Sequence, residues 1–414
     1  MSDERPLLVL VAGKDPLDEP GGGHSSYVVA HALAASAAGW YPVVLAVGPS
    51  DRTREEPYGT IHRVRTPYRP IRQLMVPGHR RVLARALVEL AGDRPVLAHA
   101  FGAWGAGAVD GVAQLRASGR LAPAVAAISS YTTYREEHAS LVRGAGDEPL
   151  LEQARYRAQA LWASTVVDRA ERDAYRRADR VWANYEAIRA LVHRCHGDDV
   201  RVDLVPYGPE SAFAPIPPPS PEPPEVAALA PAEGPLVTCV ARHHSRKGVD
   251  VLIDALALLR ERDVAFRAAL VGGGPLLDAH RRRVEHLGLA GQVAVPGLVA
   301  DTAPWVQAAD VYVQPSREEQ SGALALLEAQ RLGIAVVASA VDGIPEDVTD
   351  GETGLLVPPG DAGALAEALV ALLAGPERRG RLAEAGRARF EERFAAAPFA
   401  AGLAAAYADL GFAP

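Results

Sequence analysis

Short, nearly uninterrupted apolar runs alternate with helical stretches along this chain, and that alternation constrains its fold more than any other feature. In the N-terminal half the runs are PLLVLVAG (6–13), YPVVLAVG (41–48), RPVLAHA (94–100) and APAVAAIS (122–129), each bounded by glycine, proline or polar residues. Runs of this length without polar alternation read as strands buried on both faces, the signature of a parallel sheet. Between them SSYVVAHALAASAA (25–38) and RRVLARALVELAG (80–92) carry helical spacing, and ADRVWAN (178–184) and RVDLVPYG (201–208) extend the series. Strand–helix alternation predicts a parallel sheet covered by helices.

At 213–235 the pattern breaks. FAPIPPPSPEPPEVAALAPAEGP is too rich in proline to continue a sheet and reads as a semi-extended connection. The alternation restarts with LVTCVARHHSRKG, then a helix over 249–262, then runs at 266–275, 292–297, 310–316, 334–339 and 353–359. A chain of 414 residues is too long for one hydrophobic core. The reading is therefore α/β: an N-terminal domain over 1–211, a Pro-rich linker over 212–235 and a C-terminal domain over 236–395. ERFAAAPFAAGLAAAYADL, near the end, reads as helix broken near Pro398. Two facing, doubly wound domains would bind ligands at the carboxyl ends of their strands.

Composition excludes several function classes. A formal net charge of −8 argues against a general nucleic-acid binder. The two cysteines, Cys195 and Cys239, lie on opposite sides of the linker and read as free thiols in a reducing cytoplasm. MSDERPLLVLVAG lacks the basic start and long apolar core of a secretory signal. No stretch approaches the roughly 18 apolar residues of a membrane span. The cations are more telling: of 43 basic residues only Lys14 and Lys247 are lysine. A chain that uses arginine almost everywhere keeps a lysine where a compact ammonium on a flexible stem is needed.

Lys247 stands in ARHHSRKGVDVLIDALALL (241–259), where a strand ends near Val240 and a helix begins near Val249. A cation at a helix start opposes the helix dipole, unless a phosphate sits between it and the free backbone N–H groups. Arg242 and Lys247 are therefore read as a diphosphate grip, the alternative being two solvated surface cations. LVGGGPLLDAH (270–280) fails as a dinucleotide fingerprint because Leu277 occupies the third glycine's place. Gly273 and Gly274 then either make a tight turn or let backbone approach a nucleotide. In SREEQSGALALLEA (316–329) one carboxylate, Glu328, sits on a largely apolar helix. It either accepts hydrogen bonds from a ribose diol, with Gly322 allowing a ligand close to the helix start, or pairs with Arg331. HRCH (193–196) lacks a second ligand cluster at zinc-like spacing, so no metal site is expected.

Arg-x4-Lys-Gly, a strand into a Gly-rich turn, Pro-Ser before Leu-Leu-Glu-Ala, then Gly-Ile-Pro-Glu and Gly-Leu-Leu-Val-Pro-Pro-Gly-Asp together resemble glycosyltransferase family 4. The resemblance covers essentially the whole chain and is most specific over 237–361. GGGHSSYVVAHAL resembles the family's Gly-Gly loop and first helix, and VPYGPESAF its segment before the linker. It implies the GT-B fold, two Rossmann-like domains with the C-terminal helix 396–414 returning to the N-terminal one. It also implies a retaining transferase that uses a nucleoside-diphosphate sugar (UDP- or GDP-linked) as co-substrate. No metal or other cofactor is expected.

By the same resemblance Arg242 and Lys247 hold the donor diphosphate, and Gly22 and Gly23 approach the phosphates. The backbone at Ser321, Gly322, Ala323 and Leu324 contacts the transferred sugar, and Glu328 holds the ribose. The family's first glutamate, eight residues before Glu328, is replaced here by Gln320, with Glu318 and Glu319 out of register. The histidine common after an N-domain strand appears as Ser130 or Tyr131, while His99 at the end of VLAHA stands in a family-like position and is taken as catalytic. The acceptor is expected to be a small soluble metabolite or natural-product intermediate, and an oligomer is compatible with the pattern. Two rival functions stand beside the transferase: another GT-B sugar-nucleotide reaction (epimerisation or phosphorolysis), and a sugar-nucleotide-binding protein without turnover, for which Gln320 is the argument.

Overall fold

A computed structural model describes residues 5–17, 23–66, 76–231 and 234–414. The chain forms two compact units that do not follow chain order. The first comprises Met1–Ala139, Arg157–Ala214 and Arg393–Pro414; the second comprises Ser140–Tyr156 and Pro215–Glu392.

The first unit is built on an eight-stranded sheet of β1 (Leu7–Val11), β2 (Val43–Gly48), β3 (Arg52–Glu56), β4 (Gly59–Arg65), β5 (Val96–Phe101), β6 (Ala124–Ser130), β7 (Arg180–Ala183) and β8 (Val202–Leu204). Their order is β3-β4-β2-β1-β5-β6-β7-β8. All neighbours are parallel except β3, which runs antiparallel to β4. The central β1 is buried along its whole length, as its uninterrupted LLVLV requires. The β3–β4 hairpin was not expected: RTREE is polar and largely exposed, so it forms an edge strand that a search for apolar runs passes over.

The second unit holds six parallel strands: β9 (Leu236–Val240), β10 (Arg267–Val271), β11 (Val293–Gly297), β12 (Val311–Gln314), β13 (Ala335–Ser339) and β14 (Leu355–Val357). Their order, β11-β10-β9-β12-β13-β14, reverses direction between β9 and β12. That is the doubly wound arrangement, whose crevice opens at the carboxyl ends of the two strands flanking the reversal. Helix Val249–Glu261 buries Leu252, Leu256 and Leu259 against Cys239, Leu270 and Val313 to make the core.

Three sequence expectations change here. The Pro-rich linker is docked rather than free. Its residues from Pro215 onward cluster with the second unit, Val226 is fully buried beside Leu236 and Trp305, and Glu222 lies 2.8 Å from Arg267. Ser140–Tyr156, placed by the sequence reading in the N-terminal domain, also clusters with the second unit. The last helix, Ala396–Ala408, runs unbroken through Pro398. Proline in a first helical turn removes an N–H that has no intrahelical acceptor, so the chain breaks just before Ala396 instead. This helix belongs to the first unit, where Phe399, Leu403 and Tyr407 are fully buried.

Candidate active site

β9 and β12 are paired neighbours, so the loops that follow them rise side by side from the switch point. After β9, Arg242 stands exposed, and among the described residues its guanidinium makes no hydrogen bond or ion pair. The chain then turns through a short 3-10 segment, Ser245–Lys247, whose Arg246 N–H donates to His244 Nδ1 at 3.3 Å. Gly248 follows with φ +64, and a Cβ there would lie 1.9 Å from the Pro315 carbonyl oxygen. Only glycine allows this approach, and the approach lays Lys247 against the loop after β12.

That loop meets Lys247 with Glu319. The ammonium donates to Glu319 Oε1, and the other carboxylate oxygen accepts from Ser316 Oγ at 2.6 Å. The two side chains are 17% and 7% exposed. Burial lowers the Lys247 pKa from its ordinary value, and the Glu319 charge acts in the opposite direction. Arg317 holds the loops together by donating to both Asp250 oxygens at 2.7 and 2.6 Å and to the Ser245 carbonyl at 3.0 Å. Asp342, after β13, accepts from the backbone N–H groups of Glu319 and Gln320 at 2.7 and 2.6 Å.

Gln320 stands in the expected register. Its backbone is left-handed, with φ +70, and its side-chain amide donates to Ser140 Oγ at 3.4 Å. The carboxylate beside Lys247 comes from Glu319, one position earlier, which the motif register had set aside. Beyond it Ser321, Gly322 and Ala323 are buried, and helix Leu324–Arg331 begins with Ala323 at its N-cap and no side-chain cap. Its first backbone N–H groups are thus uncapped by any side chain, as an anion or sugar oxygen would require. Glu328 is half-buried, and buried Arg331 feels its charge, so the ion-pair reading has a structural counterpart.

The Gly-rich turn after β10 packs on the same loop. Cβ atoms at Gly272 and Gly274 would fall 2.0 and 2.4 Å from the carbonyl oxygens of Ala241 and His243, and the His243 N–H donates to the Gly273 carbonyl at 2.9 Å. Gly274 therefore serves loop–loop packing. At Gly273 a Cβ would meet Leu298 only at an ordinary 3.5 Å.

In the first unit Gly22 lies outside the described residues, and Gly23 opens helix Gly23–Ala37. His99 requires a correction. It is fully buried, with Nδ1 2.8 Å from the Tyr407 hydroxyl and Nε2 2.8 Å from Ser129 Oγ. Burial drives its pKa well down. Nδ1 ties the last helix to the sheet and Nε2 is engaged by the neighbouring strand β6, which leaves neither nitrogen to touch a substrate. Among the described residues no cluster of metal-ligating side chains is found, and no helix is long and apolar enough to cross a membrane.

Sequence reasoning missed Glu319 and Asp342. Glu319 had a local signal, the Ser-x-x-Glu spacing from Ser316; Asp342 precedes a glycine at a strand end, a weak turn signal.

Two family models match the chain, one on each side of the linker. "Glycosyl transferase 4-like domain" spans residues 22–208 and "Glycosyl transferases group 1" spans 234–375. A GDP-mannose-dependent alpha-(1-6)-phosphatidylinositol monomannoside mannosyltransferase of Mycolicibacterium smegmatis is 37% identical over 199 residues, which cover 44% of this chain and 52% of that protein. D-inositol 3-phosphate glycosyltransferase of Thermomonospora curvata is 38% identical over 164 residues, 37% of this chain and 38% of its own. The matches thus span about half, or less, of the length of these relatives. Sucrose-phosphate synthase from Thermosynechococcus elongatus superposes with a TM-score of 0.72 at 25% identity, covering 98% of this chain and 99% of its own. Anabaena HepE in complex with UDP shares the fold at a TM-score of 0.68 and 18% identity, over 98% of this chain and 100% of its own. With both halves matched by family models and the fold shared end to end, the chain belongs to the GT-B glycosyltransferases of the family 4 type.

Proposed function

We propose that the protein transfers a sugar from a nucleoside-diphosphate sugar to a hydroxyl acceptor, with retention at the anomeric carbon and without a metal. The observation that carries this reading is the pair Arg242 and Lys247 at the switch point, one cation without a hydrogen bond or ion pair among the described residues and the other held on a carboxylate that a diphosphate would replace. The two cations then balance the charge that grows on the leaving diphosphate. The uncapped backbone at Ser321–Leu324 faces the sugar, and Glu328 accepts from the ribose diol. We read Glu319 as the partner of Lys247 rather than as a nucleophile, so the transfer is a single front-face displacement. In this reading the anomeric C–O bond to the diphosphate breaks, the acceptor oxygen bonds to the same face, and its proton passes to the departing phosphate oxygen.

The donor is a UDP- or GDP-sugar, with GDP-mannose favoured by the name of the mycobacterial relative. For the acceptor we keep a small soluble hydroxyl metabolite, a class to which the D-inositol 3-phosphate of the Thermomonospora relative's name belongs. The competing acceptor is lipid-linked, as in the name of the mannosyltransferase. The two thiols support a reducing cytoplasm as the setting.

Calorimetric titration with UDP and GDP in metal-free buffer tests the donor site. Transfer from GDP-mannose and UDP-glucose to D-inositol 3-phosphate, or to phosphatidylinositol vesicles, then separates the acceptors by product mass. Binding of neither nucleotide would remove the diphosphate reading of Arg242 and Lys247.

A further inference from the structure

The loop after β9 is held from behind by a pair of histidines. His243 follows Arg242 directly, and its Nδ1 lies 2.9 Å from Nδ1 of His280, on the helix Leu277–His286 that follows the Gly-rich turn. Both residues are buried, with ring centroids 5.0 Å apart. A hydrogen bond between two ring nitrogens needs a proton on one and a lone pair on the other. The two rings are therefore opposite tautomers, one protonated on Nδ1 and the other on Nε2. Burial lowers both pKa values, that of His243 to about 4, which keeps the rings neutral near physiological pH.

The backbone closes this contact into a ring of bonds. The Leu276 N–H donates to the His243 carbonyl at 3.0 Å, and the Leu276 carbonyl accepts from the His280 N–H at 2.9 Å. The imidazole bond joins the two ends of that path. His243 Nε2 is buried without a hydrogen-bond partner, so the bond to His280 is the one that fixes the ring. The Arg242 guanidinium makes no hydrogen bond or ion pair among the described residues, so its placement comes from the backbone that carries it.

We propose that His280 is a positioning residue for the diphosphate grip: its hydrogen bond to His243 fixes the backbone from which Arg242 projects. This rests on the donor-site reading above. The loop then has two anchors. Arg317, on Asp250 and the Ser245 carbonyl, holds the side near Lys247, and His280 holds the side near Arg242. Removing the His280 nitrogen leaves a buried imidazole nitrogen of His243 unpaired, and the loop shifts to relieve it.

The test reads the bond and its effect on binding separately. In the intact, isotope-labelled protein, a nitrogen–nitrogen coupling across the hydrogen bond is expected between two histidine Nδ1 atoms, assigned by its loss in His280→Phe. That variant keeps a ring against His243 without the nitrogen, and is expected to weaken UDP or GDP binding about tenfold by calorimetry. His280→Asn, whose amide reaches the place of Nδ1, should bind within about threefold of the wild type. In an Arg242→Ala background His280→Phe should weaken binding by less than about twofold, because the group it positions is gone. Absence of the coupling in the wild type overturns the inference, and that readout stands even if His280→Phe does not fold. Unchanged affinity in His280→Phe, or an undiminished loss in the Arg242→Ala background, overturns it as well. A wild-type chain that shows the coupling but binds neither nucleotide overturns the donor-site reading, and the role of His280 with it.

Discussion

Gly248→Ala offers a quantitative check on how Lys247 is placed. Two costs add at this position. The backbone is left-handed at φ +64, which costs an ordinary residue about 1–2 kcal/mol, partly offset by the lower entropy of the unfolded alanine chain. The new Cβ would also stand 1.9 Å from the Pro315 carbonyl oxygen, so the two loops must part by about 1 Å. Overpacking of that kind costs about 1–3 kcal/mol, for a total of about 2–4 kcal/mol. In a domain of this size that lowers the melting temperature by roughly 5–15 °C. Gly351→Ala is the internal control: φ is +74, with no heavy atom within 4 Å of the added Cβ, so only the backbone cost of about 1 kcal/mol applies. Scanning calorimetry of both variants isolates the steric part as their difference, and titration with UDP or GDP should show about tenfold weaker binding for Gly248→Ala alone. If the two variants melt within about 1 °C of each other, the Pro315 carbonyl is not what sets the turn, and the argument for Lys247 fails at its first step.

Other perturbations separate the roles assigned above. Arg242→Ala, removing an exposed cation that makes no hydrogen bond or ion pair among the described residues, should leave the melting temperature nearly unchanged and weaken nucleotide binding about 10–100-fold by calorimetry. Glu319→Gln should slow sugar transfer at least about tenfold, and Gln320→Ala by less than about threefold, in initial-rate assays; the reverse order would restore the role that the motif register gave Gln320. His99→Ala should lower the melting temperature while leaving nucleotide affinity intact, because it strands the Tyr407 and Ser129 hydroxyls in the first unit. The histidines His31, His243 and His244, all buried, and half-buried His24, each with its pKa lowered to about 4, stay neutral in the folded chain while the unfolded chain protonates near 6.5. Their contribution to stability is complete above pH 6.5 and declines as pH falls towards 4, so the melting temperature should drop between pH 6.5 and 5 with net proton uptake on unfolding; a flat profile would mean that these rings are not held neutral.

The second unit was the more legible half in sequence because its strands are buried on both faces and therefore spell unbroken apolar runs. Lys247 drew attention for a different reason: lysine is so rare in this chain that each one asks for an explanation. The β3–β4 hairpin was hidden by its exposure, and the docking of the linker by contacts to residues such as Arg267 and Gln307, far away in sequence. Glu319 was obscured because motif spacing assumes a regular backbone, whereas the left-handed turn at Gln320 shifts which carboxylate reaches the lysine. His99 was misjudged because a strand-end histidine reads the same whether it faces a ligand or a buried tyrosine some three hundred residues later.

The return of Arg393–Pro414 to the first unit orders events during synthesis. The ribosome makes all of the second unit before it makes the helix that supplies Tyr407 to His99. Until then the nascent first unit carries an uncovered apolar surface where Phe399, Leu403 and Tyr407 will pack. A cut at the proline tract would therefore release an N-terminal fragment without its own last element, and the two units are not interchangeable modules despite their similar architecture.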